Sequence, residues 1–192
     1  MRKLVLASTS PYRRALLARL QLPFETACPE VDETPLPSEP PEQLVARLAE
    51  LKARAVAPRF PDALIIGSDQ LAVRGGKTLG KPGGFDAAKA QLLAASGKTV
   101  RFLTGLCLLD SPTGQAQVTV VPYSVVFRAL DEAQIERYLH REQPYHCAGA
   151  FKSEGLGIAL FKQMEGTDPN ALVGLPLIKL ISMLECAGVH VL

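Results

Sequence analysis

The chain has 192 residues, 47% of them apolar, and a formal charge of only +2. That length supports one sizeable domain, or one domain built as two lobes around a cleft, with a real core. The near balance of charge excludes the broad basic surface of a general nucleic-acid binder, so any positive field is local.

Four cysteines (Cys28, Cys107, Cys147, Cys186) are scattered without a CxxC pair. Reduced thiols are therefore expected rather than zinc or a disulfide framework. The start of the chain lacks a long apolar segment with a small-residue cleavage site, and no apolar run approaches membrane-spanning length. The expectation is a cytoplasmic protein with no membrane partner.

The first stretch, LVLASTSPYRR, reads as a strand (Leu4 to Ala7), a hydroxyl-rich turn and a helix start. Ser10 suits the N-cap and Pro11 the first helical position. Leu16, Leu17 and Leu20 then mark one helical face. The free N–H groups of that first turn, three hydroxyls (Ser8, Thr9, Ser10) and the guanidiniums of Arg13 and Arg14 make a site for an anion such as phosphate. A capped surface helix with solvated arginines is the competing reading. Phe24 to Ala27 is a short strand, and the acidic, proline-rich CPEVDETPLPSEPP that follows is a loop carrying Glu30, Asp32 and Glu33. Its carboxylates are either simply solvated or, facing a phosphate, need a hard divalent cation between them.

Pro41 to Ala57 is a helix with apolar positions at Leu44, Val45, Leu48, Leu51, Ala55 and Val56. Lys52 falls inside that stripe, so it either snorkels to the edge or reaches a buried anion. Ala63 to Gly67 is an uninterrupted apolar run, the mark of a strand covered on both faces. Asp69 is expected just past its carboxyl end, where open α/β sheets place their chemistry. Leu71 to Val73 continues extended into a hairpin turn, Arg74-Gly75-Gly76-Lys77. Gly76-Lys77-Thr78 imitates the end of a phosphate-binding P-loop, but Leu71 stands where that motif needs glycine and no helix follows.

Lys81 lies between Gly80 and Pro82, which fix the backbone and suit it to a polyphosphate. A helix from Asp86 to Ser96 is closed by Gly97. Val100 to Leu109 and Gln117 to Arg128 form an antiparallel pair, with Pro122 interrupting the second strand or placing it at an edge. Asp131 and Gln134 form the capping box of a helix ending near Arg141. After HCAGAFKSEGLG, with Lys152 and Glu154 as its charges, Gly157 to Met164 reads as a strand. The loop Glu165 to Gly174 carries Asp168 and Asn170, and Pro176 starts a final helix that ends before Gly188. No repeat or linker divides the chain, so a single domain over residues 1–192 is expected.

The candidate groups are thus Ser8, Arg13, Arg14, Lys52 and Lys81 on the positive side and Glu33, Asp69 and Asp168 on the negative. Cations with metal-holding carboxylates are the equipment of phosphoryl or nucleotidyl chemistry. The three histidines (His140, His146, His190) stand apart from these motifs and read as surface residues.

LASTSPYRR, PEVDET, GSDQ, GKP, AGAFKSEG and EGTDPNALVGLPL, in this order from Leu4 to about Leu177, resemble the Maf family of nucleoside triphosphate pyrophosphatases. The resemblance implies an α/β fold like that of the inosine triphosphate pyrophosphatases, a long curved mixed sheet with flanking helices and two lobes around a deep cleft. It implies cleavage of a nucleoside triphosphate to the monophosphate and pyrophosphate, with Asp69 as proton acceptor for the attacking water and a divalent cation, Mg2+ or Mn2+. It places Lys52 and Lys81 with Asp69 as catalytic groups, Ser8, Arg13 and Arg14 on the phosphates, and Glu33 with Asp69 on the metal. The family often forms dimers, so a homodimer is a further expectation, with a free nucleotide rather than nucleic acid as partner.

Tyr12, Gln70 and Glu154 depart from the pyrimidine-preferring branch and resemble the branch that hydrolyses 7-methyl-GTP. Methylation at N7 makes guanine cationic, which suits the face of Tyr12. The Glu154 carboxylate can accept the N1–H and N2–H of guanine. Two alternatives stay open: a pyrophosphatase for other nucleotides such as dTTP and UTP, and a non-hydrolysing nucleotide-binding regulator of cell division.

Overall fold

Lys3–Ala7 forms β1, Pro11–Ala18 α1, Glu25–Ala27 β2 and Pro41–Val56 α2. Ala63–Arg74 forms β3, Lys77–Leu79 β4, Phe85–Ala95 α3 and Thr99–Asp110 β5. Ala116–Phe127 forms β6, Glu132–Glu142 α4, Phe161–Gly166 β7, Asn170–Val173 α5 and Leu177–Cys186 α6. These come from a computed structural model that describes residues 2–192. The seven-stranded sheet has the order β2-β1-β3-β5-β6-β7, with β4 pairing β3. Strand β1 runs parallel to β2 and β3, whereas β4 and β7 run antiparallel to their neighbours β3 and β6, so the sheet is mixed as expected. No helix among the described residues is long and apolar enough to cross a membrane.

The residues group into two compact units. One takes the chain up to Gln70, Leu103–Val121 and Asp168–Leu192; the other takes Leu71–Phe102 and Pro122–Thr167. In the first unit, alternate residues of β1 and β3 enter different cores. Leu4, Leu6, Leu64 and Ile66 pack with Leu16 and Leu17 of α1 and Leu180 and Leu184 of α6. Val5, Ala7, Ala63 and Ile65 pack with Ala49, Ala53 and Val56 of α2. Covering on both faces is why ALIIG is apolar without interruption. Two glycines let α2 lie close on the strands. A Cβ at Gly67 would stand 2.0 Å from Ala49 O, and one at Gly105 would stand 2.0 Å from Val45 O.

In the second unit, the end of β3 and β4 form a hairpin whose turn residues Gly75 and Gly76 have φ of 53° and 77°. Two successive positive φ values are what a two-residue turn matched to strand twist requires. Phe102, Phe127, Phe151 and Phe161 pack edge to face in its core. The capping box of α4 forms as expected, Gln134 N donating to Asp131 Oδ1 at 2.7 Å and Asp131 N to Gln134 Oε1 at 2.9 Å.

Three expectations are corrected. Strand β3 does not stop at Gly67 but runs on through Asp69 to Arg74; β1 pairing ends at Ala7↔Gly67, and β4 takes up the strand from Ala72. Pro122 does not interrupt β6, but it does lie on a stretch of that strand left without a partner on the β7 side. The register of β6 with β7 runs from Tyr123 to Phe127, so the proline lies just outside that ladder. Residues 156–160 form a short 3-10 turn rather than strand, and β7 starts at Phe161. The turn is held from α4, Leu156 N donating to Glu142 Oε2 at 2.7 Å.

Candidate active site

Gly67 and Asp69, two apart on β3, face the same way. Because Gly67 seats α2 at Ala49, the next helical turn brings Lys52 to Asp69. Lys52 Nζ lies 2.6 Å from Asp69 Oδ1 and 2.6 Å from Glu33 Oε1. Lys52 is 6% exposed and Asp69 7%. The lysine inside the apolar stripe therefore reaches buried charge rather than snorkelling out. Glu33 arrives from the proline-rich loop, and its side chain remains 59% exposed.

The opposite face of β3 holds a second set of contacts. Ser68 Oγ lies 2.9 Å from both Gly105 O and Gly174 O. Gly174 O also accepts from Arg13 Nε at 2.8 Å. One carbonyl thus ties the strand carrying Asp69 to the arginine of α1. Gly174 has φ of 114°, and a Cβ there would stand 3.3 Å from Arg13 Nε, so both backbone shape and close approach call for glycine. Burial pushes the Arg13 pKa down, while the charges of Asp69 and Glu33 pull it back up. Those two carboxylates therefore share a field with Arg13. Ser10 caps α1, accepting from Arg13 N at 3.4 Å, and buried Ser8 accepts from Ser10 N at 3.1 Å. Arg14 is exposed on the same helix, and Tyr12 is half-buried.

The family described as Maf-like protein matches residues 3–187. The chain belongs to the Maf family. A Nitrosococcus oceani relative named 7-methyl-GTP pyrophosphatase is 62% identical over 98% of this chain and 95% of that one. A relative from Pseudomonas fluorescens with the same name is 56% identical over 100% of both chains. Among solved structures, the Staphylococcus aureus Ham1 protein aligns with a TM-score of 0.46 and 16% identity, over 67% of this chain and 73% of that one.

Of the residues singled out by the Maf motifs, Ser8, Tyr12, Arg13, Arg14, Glu33, Lys52, Asp69 and Gln70 lie in the first unit, and Lys81 and Glu154 in the second. Lys81 is exposed, as is Glu154, whose Oε2 accepts from Ser153 Oγ at 3.3 Å. The amide nitrogen of Gln70 is directed at Ala171 O (2.7 Å), Leu172 O and Thr104 Oγ1 (both 3.1 Å), so this residue anchors α5. Asp168 is removed from the chemical candidates by its contacts. Its buried carboxylate accepts from Asn170 N and Asn170 Nδ2 and from Ile178 N at the start of α6. Glu33 and Asp69 are the oxygen donors gathered here that suit a hard divalent cation.

Sequence reasoning passed over Ser68, Thr104 and Gly174. Gly174 had one visible signal, a glycine closing the EGTDPNALVG motif. Ser68 likewise stood inside the GSDQ motif, whereas Thr104 had no signal, since its partner Ala171 lies far along the chain.

Proposed function

We propose that this Maf protein hydrolyses a nucleoside triphosphate to the nucleoside monophosphate and pyrophosphate, with 7-methyl-GTP as preferred substrate. The observation that carries the reaction is the buried ammonium of Lys52 between the carboxylates of Asp69 and Glu33. The named relatives at 62% and 56% identity support the choice of substrate.

Asp69 takes a proton from the attacking water while Lys52 holds its Oδ1 and keeps the carboxylate aimed. The water oxygen bonds to phosphorus, and the bridge between the α and β phosphates breaks, its electron pair leaving with pyrophosphate. Arg13 spends its Nε on Gly174 O, which leaves its terminal nitrogens for phosphate oxygens. Ser8 and Arg14 supply further donors, and Lys81 is assigned to the phosphates by its motif. Tyr12, Gln70 and Glu154 are assigned to selection of the base, the first and last by cation–π attraction and carboxylate pairing.

Glu33 and Asp69 fit Mg2+ or Mn2+ held through one or two carboxylates. Such a cation completes its shell with water and phosphate oxygens. When bound there, it would neutralise charge on those oxygens. The same reading places the enzyme in the cytoplasm, acting on free nucleotide, as a homodimer.

The test is pyrophosphate release in magnesium, with 7-methyl-GTP, GTP, UTP and dTTP compared side by side. The expected result is preference for 7-methyl-GTP. Preference for UTP and dTTP would retain the hydrolysis and discard the base assignment. Nucleotide binding without release from any of the four would make the protein a regulator rather than an enzyme.

A further inference from the structure

Away from the residues used above, the second unit contains a cavity of about 250 Å³. It is lined by Arg128, Arg137 and Arg141 over an apolar floor that includes Leu130, Leu156 and Leu160. Residues 134, 137, 138 and 141 are spaced as one face of α4, so that whole face borders the cavity. No carboxylate lines it. The acids of α4 are committed elsewhere: Glu132 and Glu136 pair with Lys89, and Glu142 pairs with Lys152. None of the three guanidiniums makes an ion pair or hydrogen bond among the described residues.

Arg137 and Arg141, four apart on a helix, repel each other, and Arg128 adds a third positive charge. Such an arrangement gains most from a multivalent anion, and guanidinium forks match phosphate oxygens. The apolar floor favours a ligand with a carbon body as well as a charge, and the open groove, whose three arginines are exposed, has room for a compact one. We propose that this cavity is a second binding site, for a compact phosphorylated small molecule. Tyr138 borders it, and its hydroxyl accepts from Lys152 N at 3.1 Å. A ligand there would press on the support of the segment that carries Glu154.

The experiment is an amide and arginine-side-chain NMR titration of the full chain with ribose 5-phosphate, with ribose as the neutral control. Saturable shifts at Leu130, Leu156, Ala159 and the Nε–H groups of Arg137 and Arg141 are expected with the phosphate ester and not with ribose. In Arg137→Gln/Arg141→Gln those shifts should need about tenfold more ligand, while shifts around Ser8 to Arg14 stay unchanged. Shifts confined to Ser8 to Arg14, or pocket shifts indifferent to the double variant, would overturn the proposal. A single-stranded RNA octamer that shifts the same amides at lower concentration would overturn the small-molecule assignment. Pyrophosphate release by the double variant, measured in parallel, keeps failure here separate from failure of the catalytic reading.

Discussion

Lys52 Nζ stands 2.6 Å from Asp69 Oδ1 with both side chains almost wholly enclosed. Removing one member of such a pair strands a charge, which is worse than removing both. Lys52→Met should therefore lower stability by about 3 kcal/mol. Adding Asp69→Asn should recover part of that loss. Urea midpoints of the parent, both single variants and the double variant close the cycle, and strict additivity would show the pair to be uncoupled.

Asp69→Asn alone retains an acceptor for Lys52 but no base. Turnover of 7-methyl-GTP should fall by about a hundredfold or more with KM little changed. Steady-state pyrophosphate release measures both, and parental turnover would remove Asp69 from the mechanism.

Gly67→Ala places a methyl 2.0 Å from the backbone oxygen of Ala49, an atom that cannot swing aside. The helix must shift or the strand must bend, at a cost of about 1–3 kcal/mol. Since that contact seats Lys52 against Asp69, activity should drop as well. Thermal unfolding with an activity assay checks both; an unchanged melting temperature would refute the packing argument.

Ser68→Ala removes the hydroxyl that Gly105 O and Gly174 O share. The loss should cost about 1–2 kcal/mol. Gly174 also holds Arg13, so KM for the triphosphate should rise several-fold while the pH profile of kcat keeps its shape. Ser68→Thr, which restores the hydroxyl, should restore KM.

Glu142 gives a pH dependence of known sign. The N–H of Leu156 holds its pKa below the ordinary 4.5, aided by Lys152 and opposed by burial. Its contribution is complete above that ordinary value and is lost as pH falls through the lower folded value. The parent should thus lose stability on acidification from about pH 5 downward, and Glu142→Gln should lose less. Urea midpoints across that range, parallel for the two proteins, would contradict the assignment.

The local features of this chain were legible in its sequence. Ser10 and the Asp131/Gln134 box act through neighbours three residues away, and the glycine pair at 75 and 76 needs only its own backbone. Lys52 was visible as an anomaly because helical periodicity alone places it among apolar residues. What stayed hidden depends on remote partners. The continuation of β3 through Asp69 follows from β4 pairing, and the place of Pro122 outside the ladder follows from where β7 ends. The anchoring of Arg13 needs Gly174, 161 positions away.

That last separation has a bearing on how the molecule is made. Asp168–Leu192, which supplies Gly174, belongs to the first unit, yet it leaves the ribosome after every residue of the second. Leu64 and Ile66 of β3 likewise wait for Leu180 and Leu184 of α6 to complete their core, just as Arg13 waits for Gly174. The first unit thus closes only once residues 168–192 have emerged, and Arg13 gains its anchor in that same step.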